Sequence, residues 1–184
     1  KDLPNYLENA KDWLIISCFT GQRISDFMRF NKNQIRPEKD RFVLDIEQVK
    51  TNKAITIPLH NKVLKILEKR KGEFPNRISD QKYNDYIKLV CEKAKINEVV
   101  KGKKAFNISK DKDVTQIRKV DGNYKKYELA TSHIGRRSFA TNFYVKMPLT
   151  HLKNITGHST EKMLLTYIGK SSKDLAYDSF QYLD

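Results

Sequence analysis

Two runs of β-branched and apolar residues in the first third of the chain constrain its fold most, because the segments around them have helical periodicity. The runs are residues 41–49, RFVLDIEQV, and residues 54–59, AITIPL, and the polar link KTNK joins them. β-Branched residues favour strands, and a short polar link is typical of antiparallel neighbours. We therefore predict a β-hairpin, with a third short strand near Gln34 and Ile35 completing a small antiparallel sheet.

Apolar residues at helical spacing dominate the rest of the chain. The first predicted helix contains Tyr6 to Cys18 and ends at Gly21. Further predicted helices are, in chain order, RISDFMRF (23–30), LHNKVLKILEKRKG (59–72), SDQKYNDYIKLVCEKAKI (79–96), HIGRRSFATNFYVKM (133–147), LTHLKNITG (149–157), STEKMLLTYI (159–168) and SSKDLAYDSFQYLD (171–184). Residues 99–127 lack this period, which predicts a loop or an irregular hairpin. The fold class is therefore α+β, mainly α-helical, with one small sheet.

The length and the cysteine content indicate one intracellular domain. The 184 residues are enough for a single domain with a substantial core. The start lacks an initiator Met and a signal-peptide pattern, so we expect a piece of a longer polypeptide cut at a domain boundary. Cys18 and Cys91 lie in apolar helical patterns and are predicted to be buried thiols, because a metal site needs more ligands at closer spacing. No run of about 18 apolar residues predicts a membrane span.

The charge of the chain indicates a polyanionic partner. Lys and Arg number 36 against 22 acidic residues, which gives a net charge of +14. Residues 101–126 alone contain nine basic and three acidic residues. Such a surface attracts nucleic acid or an anionic membrane. We favour nucleic acid, since no basic amphipathic stretch has a clean apolar face.

A histidine and two arginines open one of the predicted helices. His133 and Arg136 are three residues apart and share a face, and the first helical turn adds backbone N–H groups and a positive dipole end. This arrangement suits a phosphate. Arg137 is an alternative to Arg136 by geometry alone.

Three further cations lie near predicted helix and strand ends. Arg23 opens a helix, and Asp26, three residues on, is positioned to hold its guanidinium. Lys50 and Lys53 flank the predicted hairpin turn, where a lysine is either solvated or able to deliver an ammonium to a leaving oxygen.

His158 and Tyr167 are nine residues apart near the end of the chain. A straight helix would rotate about 900° between them and separate their side chains. Because Ser159 is a candidate N-cap, the helix is expected to begin after the histidine. A bend in the chain would then allow the two side chains to share a site.

Taken in order, these segments resemble the catalytic domain of a tyrosine recombinase, of the phage-integrase type found in bacterial mobile elements. The segments are TGQRISD, VKTNKAITIPL, SHIGRRSFATN, ITGHST and TYIG, and the resemblance runs from Ala10 to Tyr167. Val49 and Thr51 stand where the family commonly has glycines, which leaves the choice between Lys50 and Lys53 open.

The resemblance implies a role for each residue. Arg23, Arg136 and His158 would grip the non-bridging oxygens of the scissile phosphate. Lys50 would protonate the leaving 5′ oxygen, and His133 would assist proton transfer. The remaining implied roles are nucleophilic attack to form a 3′-phosphotyrosine for Tyr167, support of the site for Asp26, and DNA binding for Lys53, Lys101, Lys103, Lys104 and Arg137.

The chemistry of these residue types agrees with the resemblance. Guanidinium and imidazole groups neutralise the charge that develops on a phosphodiester in the transition state. A phenol is a poor nucleophile at neutral pH unless its anion is stabilised, and a cationic pocket does this. The set holds no clustered carboxylates, so we expect no metal, no other cofactor and no ATP for religation.

The resemblance also implies partners and a location. We expect double-stranded DNA, a homo-tetramer assembled on it through the C-terminal helix, accessory DNA-bending proteins, and a cytoplasmic, nucleoid-associated place in a bacterium. An N-terminal core-binding domain is expected to be absent from residues 1–184. A type IB topoisomerase-like enzyme and a non-catalytic DNA-binding module are the alternatives.

Overall fold

A computed structural model describes residues 3–109, 116–180 and 183. The chain forms two compact units, one of Lys1–Lys11 and Ile78–Ser132, the other of Asp12–Arg77 and His133–Asp184. Helix α1, Asn5–Thr20, contributes its first residues to the first unit and its remainder to the second. In the described part of the chain, no helix is both long and apolar enough to cross a membrane.

The second unit contains the predicted small sheet and most of the helices. Strands β1 (Ile35–Glu38), β2 (Arg41–Gln48) and β3 (Lys53–Pro58) form an antiparallel sheet in the order β1-β2-β3. The β2–β3 register runs from Val43↔Pro58 to Gln48↔Lys53. The helices of this unit are α2 (Ile24–Phe27), α3 (Asn61–Lys69), α5 (His133–Phe143), α6 (Leu149–Thr156), α7 (Glu161–Ile168) and α8 (Ser172–Ser179).

An aromatic cluster and a buried carboxylate hold this unit together. Trp13 is 1% exposed, its ring stacks on Phe74 with centroids 6.0 Å apart, and its indole N–H donates to the Asn76 carbonyl. Asp12, on the same helix, is also buried and pairs with Lys69 and Arg70 at 2.6 and 2.8 Å. A buried charge needs such partners, so these pairs fix α1 against the end of α3.

The first unit pairs one helix with a long β-hairpin. Helix α4 (Asp80–Lys93) is capped by the Ser79 hydroxyl, which accepts from the Lys82 N–H. Strands β4 (Val99–Asn107) and β5 (Ile117–Lys125) pair from Val99↔Lys125 to Asn107↔Ile117. The segment predicted to be a loop or irregular hairpin is thus a regular hairpin in its described part. Residues 110–115 of that segment lie outside the described residues.

Several predicted boundaries were wrong. Helix α2 is a single turn, and α5 ends at Phe143 rather than Met147. The N-cap of α7 is Thr160, whose hydroxyl accepts from the Met163 N–H, rather than Ser159. Cys91 is buried as predicted, but Cys18 is only half-buried. The predicted helix over residues 171–184 is α8, and part of its predicted end lies outside the described residues.

Candidate functional site

The first turn of α5 lies close to α1 because residue 135 is glycine. A Cβ at Gly135 would lie 1.8 Å from the Ser17 hydroxyl oxygen, so only glycine permits this approach. The next residue, Arg136, is 2% exposed, and its Nη1 donates to the Gly21 carbonyl at 2.9 Å. Its Nη2 is buried and has no hydrogen-bond partner among the described residues. Arg136 therefore has a fixed guanidinium with a donor to spare.

Arg23 supplies a second guanidinium with an unused donor. It occupies the N-cap position of α2 in an extended conformation, two residues after Gly21. Its Nη1 is buried without a hydrogen-bond partner in the described part of the chain. The positive charge of Arg23 lowers the pKa of Arg136, which is consistent with the two guanidinium groups lying near each other.

The Asp26 carboxylate binds the backbone of the hairpin loop and not the guanidinium of Arg23. Its Oδ1 accepts from the Val49 backbone N–H at 2.8 Å, and the residue is 3% exposed. No ion pair joins Asp26 to Arg23 among the described residues, which corrects the predicted contact. The carboxylate supports the site by anchoring the loop that carries Lys50.

The two hairpin lysines have different surroundings. Lys53 is exposed at the start of β3, and its Nζ donates to the Asn154 side-chain oxygen at 2.8 Å. Lys50 is exposed in the four-residue loop between β2 and β3, and its charge lowers the pKa of His133. Of the two lysines, Lys50 is the one whose charge adds to the lowering of the His133 pKa, of which burial of the ring is the main cause.

His158 follows α6 and is held by the last residue of that helix. The Thr156 Oγ1 lies 2.8 Å from His158 Nδ1 and 2.7 Å from the Leu152 carbonyl oxygen. A carbonyl oxygen can only accept, so we assign the single hydroxyl hydrogen to the Leu152 carbonyl, and the histidine tautomer follows from that assignment. Nδ1 is then the protonated ring nitrogen and donates to Thr156, which leaves Nε2 with a lone pair.

Tyr167 lies beside His158 and two guanidinium groups. The His158 and Tyr167 ring centroids are 5.1 Å apart at an interplanar angle of 47°. The Cζ atoms of Arg136 and Arg137 lie 5.9 and 5.5 Å from the Tyr167 ring centroid. The Tyr167 hydroxyl is buried and makes no hydrogen bond of good geometry with the described residues. The bend expected between His158 and α7 does bring the two rings together.

Burial and the repulsion of neighbouring positive charges lower the pKa values of Arg136 and His158. Burial lowers the pKa of Arg136 to about 10; the charge of Arg23 acts in the same direction, and Tyr167 and Asp26 act against it. Burial also lowers the pKa of His158 to about 4, and Arg136 and Arg23 add to that effect. Arg136 is thus still charged at neutral pH, whereas His158 is neutral there.

His133 lies at the exposed edge of the cluster. Partial desolvation of its ring lowers its pKa, and the charges of Arg136, Arg23, Arg137 and Lys50 add to the effect in that order. One imidazole therefore experiences all four cations. The charges of Arg23, Lys50, Arg136 and Arg137 thus all act on His133, whereas Lys53 is bound to Asn154.

A shallow apolar cavity adjoins the tyrosine. Its volume is about 460 Å³, and it is lined by His158, Thr160, Lys162, Met163, Thr166 and Tyr167. The cavity opens next to the nucleophile that the sequence predicts.

Among the described residues, no cluster of three or more His, Cys, Asp or Glu side chains is arranged to hold a metal ion.

The other predicted DNA-binding lysines lie on the β4–β5 hairpin of the first unit. Lys101 is exposed, and Lys103 is exposed with an ion pair to Asp121 at 3.2 Å. Lys104 points to the other strand face, where its Nζ pairs with Glu128 at 2.7 Å and lies 5.4 Å from the Phe106 ring centroid. Of the three, Lys104 is the least available to a ligand.

Sequence reasoning missed three residues that shape the site: Gln22, Gln48 and Thr156. All three are fully buried. A signal was available for Gln48, because the alternation of β2 places it on the same inward face as Leu44 and Ile46. A polar residue in an inward register needs internal hydrogen-bond partners.

Comparison with known proteins gives a family and a fold. The model of the phage integrase family matches residues 8–173. No curated protein sequence matches significantly.

Among solved structures, a XerH site-specific recombinase in a post-cleavage complex with a palindromic difH substrate is 13% identical, with a TM-score of 0.61 over 98% of this chain. The Tn1549 transposon integrase in complex with a circular intermediate DNA is 16% identical, with a TM-score of 0.61 over 95% of this chain and 59% of that one. The catalytic domain of bacteriophage HP1 integrase is 18% identical, with a TM-score of 0.53 over 97% of this chain and 89% of that domain. The chain spans 51% of the XerH chain.

Proposed function

The chain belongs to the phage integrase family, and from that premise we propose that it is the catalytic domain of a tyrosine-type site-specific DNA recombinase. One observation carries the proposal. The buried hydroxyl of Tyr167 lies beside Arg136, and Arg136 and Arg23 each keep a buried guanidinium nitrogen without a partner among the described residues. Such donors suit the non-bridging oxygens of a phosphodiester.

The proposed reaction is a transesterification at phosphorus. The Tyr167 phenol oxygen attacks phosphorus, its proton passes to His158 Nε2, and a P–O bond to tyrosine forms as the P–O5′ bond breaks. The electron pair of the broken bond stays on O5′, which takes a proton from the Lys50 ammonium. The products are a 3′-phosphotyrosine and a free 5′ hydroxyl.

His158 is neutral at pH 7 and so is able to accept a proton, and the negative charge of a bound phosphate would offset the burial and the Arg136 and Arg23 charges that lower its pKa to about 4. After it accepts the proton, the imidazolium donates Nε2–H to a non-bridging oxygen while Nδ1–H stays on Thr156. Arg23 and Arg136 neutralise the charge that builds in the transition state. His133, among four cations, assists proton transfer at the exposed edge.

Rejoining is the reverse reaction with a second 5′ hydroxyl as the nucleophile. The phosphotyrosine retains the energy of the original diester, so attack by that 5′ hydroxyl needs no ATP. Exchange between two DNA partners requires more than one protomer. We propose that α8, which exposes Tyr177, contributes to a tetramer on DNA.

Trapping of the covalent intermediate tests the proposal. A pool of 5′-labelled nicked duplexes with a randomised crossover region loses its short 5′-hydroxyl fragment on cleavage, which blocks religation. We expect a labelled protein band on a denaturing gel for the parent and none for Tyr167→Phe. Tyr6→Phe, at an exposed position on α1, is the matched control and should retain the band.

Two results would contradict the proposal. Adduct formation by Tyr167→Phe at the parent level would show that another residue is the nucleophile. Retarded duplex in a native gel without an adduct from any pool member would favour a binding module that lacks catalysis.

A further inference from the structure

We infer that Gln22 and Gln48 are positioning residues that hold the Lys50 loop in register with the segments carrying Arg23 and His158. The inference rests on the proposed function, because it assigns a purpose to the position of Lys50. Neither glutamine touches the reacting atoms in the proposed mechanism. Each is 0% exposed and lies immediately before a loop or turn that carries a predicted site residue.

The Gln22 amide joins two distant segments. Its Nε2 donates to the Thr20 carbonyl and to the Ile155 carbonyl, both at 2.8 Å. Its Oε1 accepts from Gln48 Nε2 at 2.7 Å. Both amide hydrogens and the oxygen are therefore used, and Ile155 belongs to the end of α6 that precedes His158.

The Gln48 amide continues the chain of hydrogen bonds into the loop. Its Oε1 accepts from the Thr51 hydroxyl at 2.9 Å, and its backbone carbonyl accepts from the Asn52 N–H at 2.8 Å. Lys50 lies between these anchored residues. The loop is exposed from Val49 to Asn52, so its inward hydrogen bonds are what restrict it.

Residue 157 shows how tightly the His158 turn is fitted to this network. Gly157 has φ of +66°, and a Cβ there would lie 2.1 Å from Gln48 Oε1. Only glycine meets both conditions without displacing the amide. The turn before His158, the loop with Lys50 and the turn before Arg23 thus meet at two buried side chains.

A network of this kind fixes the geometry of the loop and also contributes to stability. Buried amides that satisfy each other specify one arrangement, and an apolar replacement of similar size leaves their partners unpaired. A general acid must lie within hydrogen-bond reach of the oxygen that it protonates. Loss of the network should therefore mainly impair protonation of the leaving group by Lys50.

A change of leaving group tests this selectively. A duplex with sulfur in place of the bridging 5′ oxygen releases a thiolate, whose conjugate acid has a pKa near 8.5, so departure does not need an acid. Covalent adduct formation would be timed for the parent and each variant on matched oxygen and sulfur duplexes. On the oxygen duplex, we expect Lys50→Ala, Gln48→Leu and Gln22→Leu to react about 10- to 100-fold more slowly than the parent.

On the sulfur duplex, the same three variants should return to within about threefold of the parent rate. Thr20→Val is the matched control, because it removes a different buried hydrogen bond of the same unit, from its hydroxyl to the Ile16 carbonyl at 2.9 Å. Any defect of this variant should be equal on the two duplexes. Thermal unfolding of each variant is recorded in parallel.

The outcomes separate the two proposals. If Lys50→Ala is rescued by sulfur and Gln48→Leu is equally slow on both duplexes, the glutamines are structural only and the inference is overturned. If Lys50→Ala is not rescued, the assignment of Lys50 fails and the inference fails with it. If neither glutamine variant folds, Thr51→Val, which removes only the loop end of the network, decides by the same criterion.

Discussion

Positive charge is placed in two contrasting ways in this chain, and Arg136 and Lys101 represent them. Arg136 is 2% exposed, bonded to a backbone carbonyl and repelled by Arg23. Lys101 is exposed on a β-hairpin, as is Lys103, whose ion pair with Asp121 is largely solvated. Burial of the Arg136 charge opposes folding, whereas the exposed charges of Lys101 and Lys103 have little effect on it.

A buried guanidinium and a solvated lysine are suited to different tasks. A desolvated, immobile guanidinium acts strongly on a phosphate and needs no reorganisation during reaction. A solvated lysine contributes to affinity through released counterions and gives way to salt. We therefore assign the buried cations to chemistry and the hairpin cations to attraction.

The largest effect is expected from the removal of Arg136. Arg136→Met should slow adduct formation by about 100- to 1,000-fold, because it removes a fixed positive charge from the transition state. The same variant should be at least as stable as the parent, since removal of a buried, repelled cation offsets the lost hydrogen bond to Gly21. Timed adduct formation and thermal unfolding measure the two effects; a marked loss of stability would contradict the assignment of Arg136 to chemistry alone.

Loss of the uncharged contact between Thr156 and His158 should also slow adduct formation. Thr156→Val removes the hydroxyl that contacts His158 Nδ1, and we expect adduct formation to slow by about tenfold because the His158 ring beside Tyr167 loses this orienting contact. Thr156→Ser keeps the hydroxyl and should retain most of the rate. Equal rates for the valine and serine variants would show that this hydrogen bond does not orient His158.

Removal of hairpin charge should change binding more than chemistry. The double variant Lys101→Ala/Lys103→Ala should bind a labelled duplex a few-fold more weakly at moderate salt. Its slope of log affinity against log salt should decrease by up to about 2, or nearly one unit for each lost phosphate contact. Fluorescence anisotropy over a salt series measures both values, with Lys39→Ala, on the exposed β1–β2 turn, as a control for net charge. An unchanged slope would mean that the hairpin does not contact DNA.

The half-buried His158 should make stability depend on pH. The pKa of His158 is about 4 in the fold and 6.5 ordinarily, so the unfolded chain takes up the proton first as pH falls. Stability is then fully retained above about pH 6.5 and decreases toward pH 4. Relative to His158→Gln, the parent should lose about 1–2 kcal/mol over this range, less than the full shift implies because the ring is partly solvated. Denaturant unfolding at several pH values tests this, and parallel curves for the two proteins would refute it.

The smallest effect is expected from loss of the Lys104–Glu128 ion pair at the β4–β5 hairpin. Lys104 lowers the pKa of Glu128, so the pair contributes at neutral pH and loses its effect as pH falls through that lowered value. Lys104→Met should therefore slightly lower the thermal midpoint at pH 7, and the difference from the parent should vanish in acid. A larger loss in acid than at neutral pH would contradict this account.

Local sequence patterns predicted helices and strands well where either helical spacing or strand alternation is clear. The hairpin of β2 and β3 and the helix around Tyr83 and Cys91 were confirmed, because alternation and helical spacing are properties of neighbouring residues. The β4–β5 segment was predicted less well. Its outward residues are charged and its inward face is irregular, so alternation was too weak to predict two regular strands.

Within the site, the order of the motifs predicted which residues meet but not their contacts. The structure places Tyr167 beside His158 and Arg136, and the charges of Arg23, Arg136 and Lys50 act on His133, whereas the Asp26 carboxylate binds the Val49 N–H instead of the expected Arg23. The backbone N–H of Val49, 23 residues away, took the contact expected for Arg23. Nothing in the local pattern around Asp26 distinguishes these two partners.

By itself, the sequence determined the strand and helix content, the positive charge and the ordered set of groups that suit a phosphodiester, because composition and spacing are properties of the chain. Only the tertiary structure decided that Arg136 is fixed by the Gly21 carbonyl 115 residues away and that Lys53 is bound to Asn154, 101 residues away. Those outcomes depend on which donors and acceptors are buried together. That pairing is made by long-range packing, which no local period encodes.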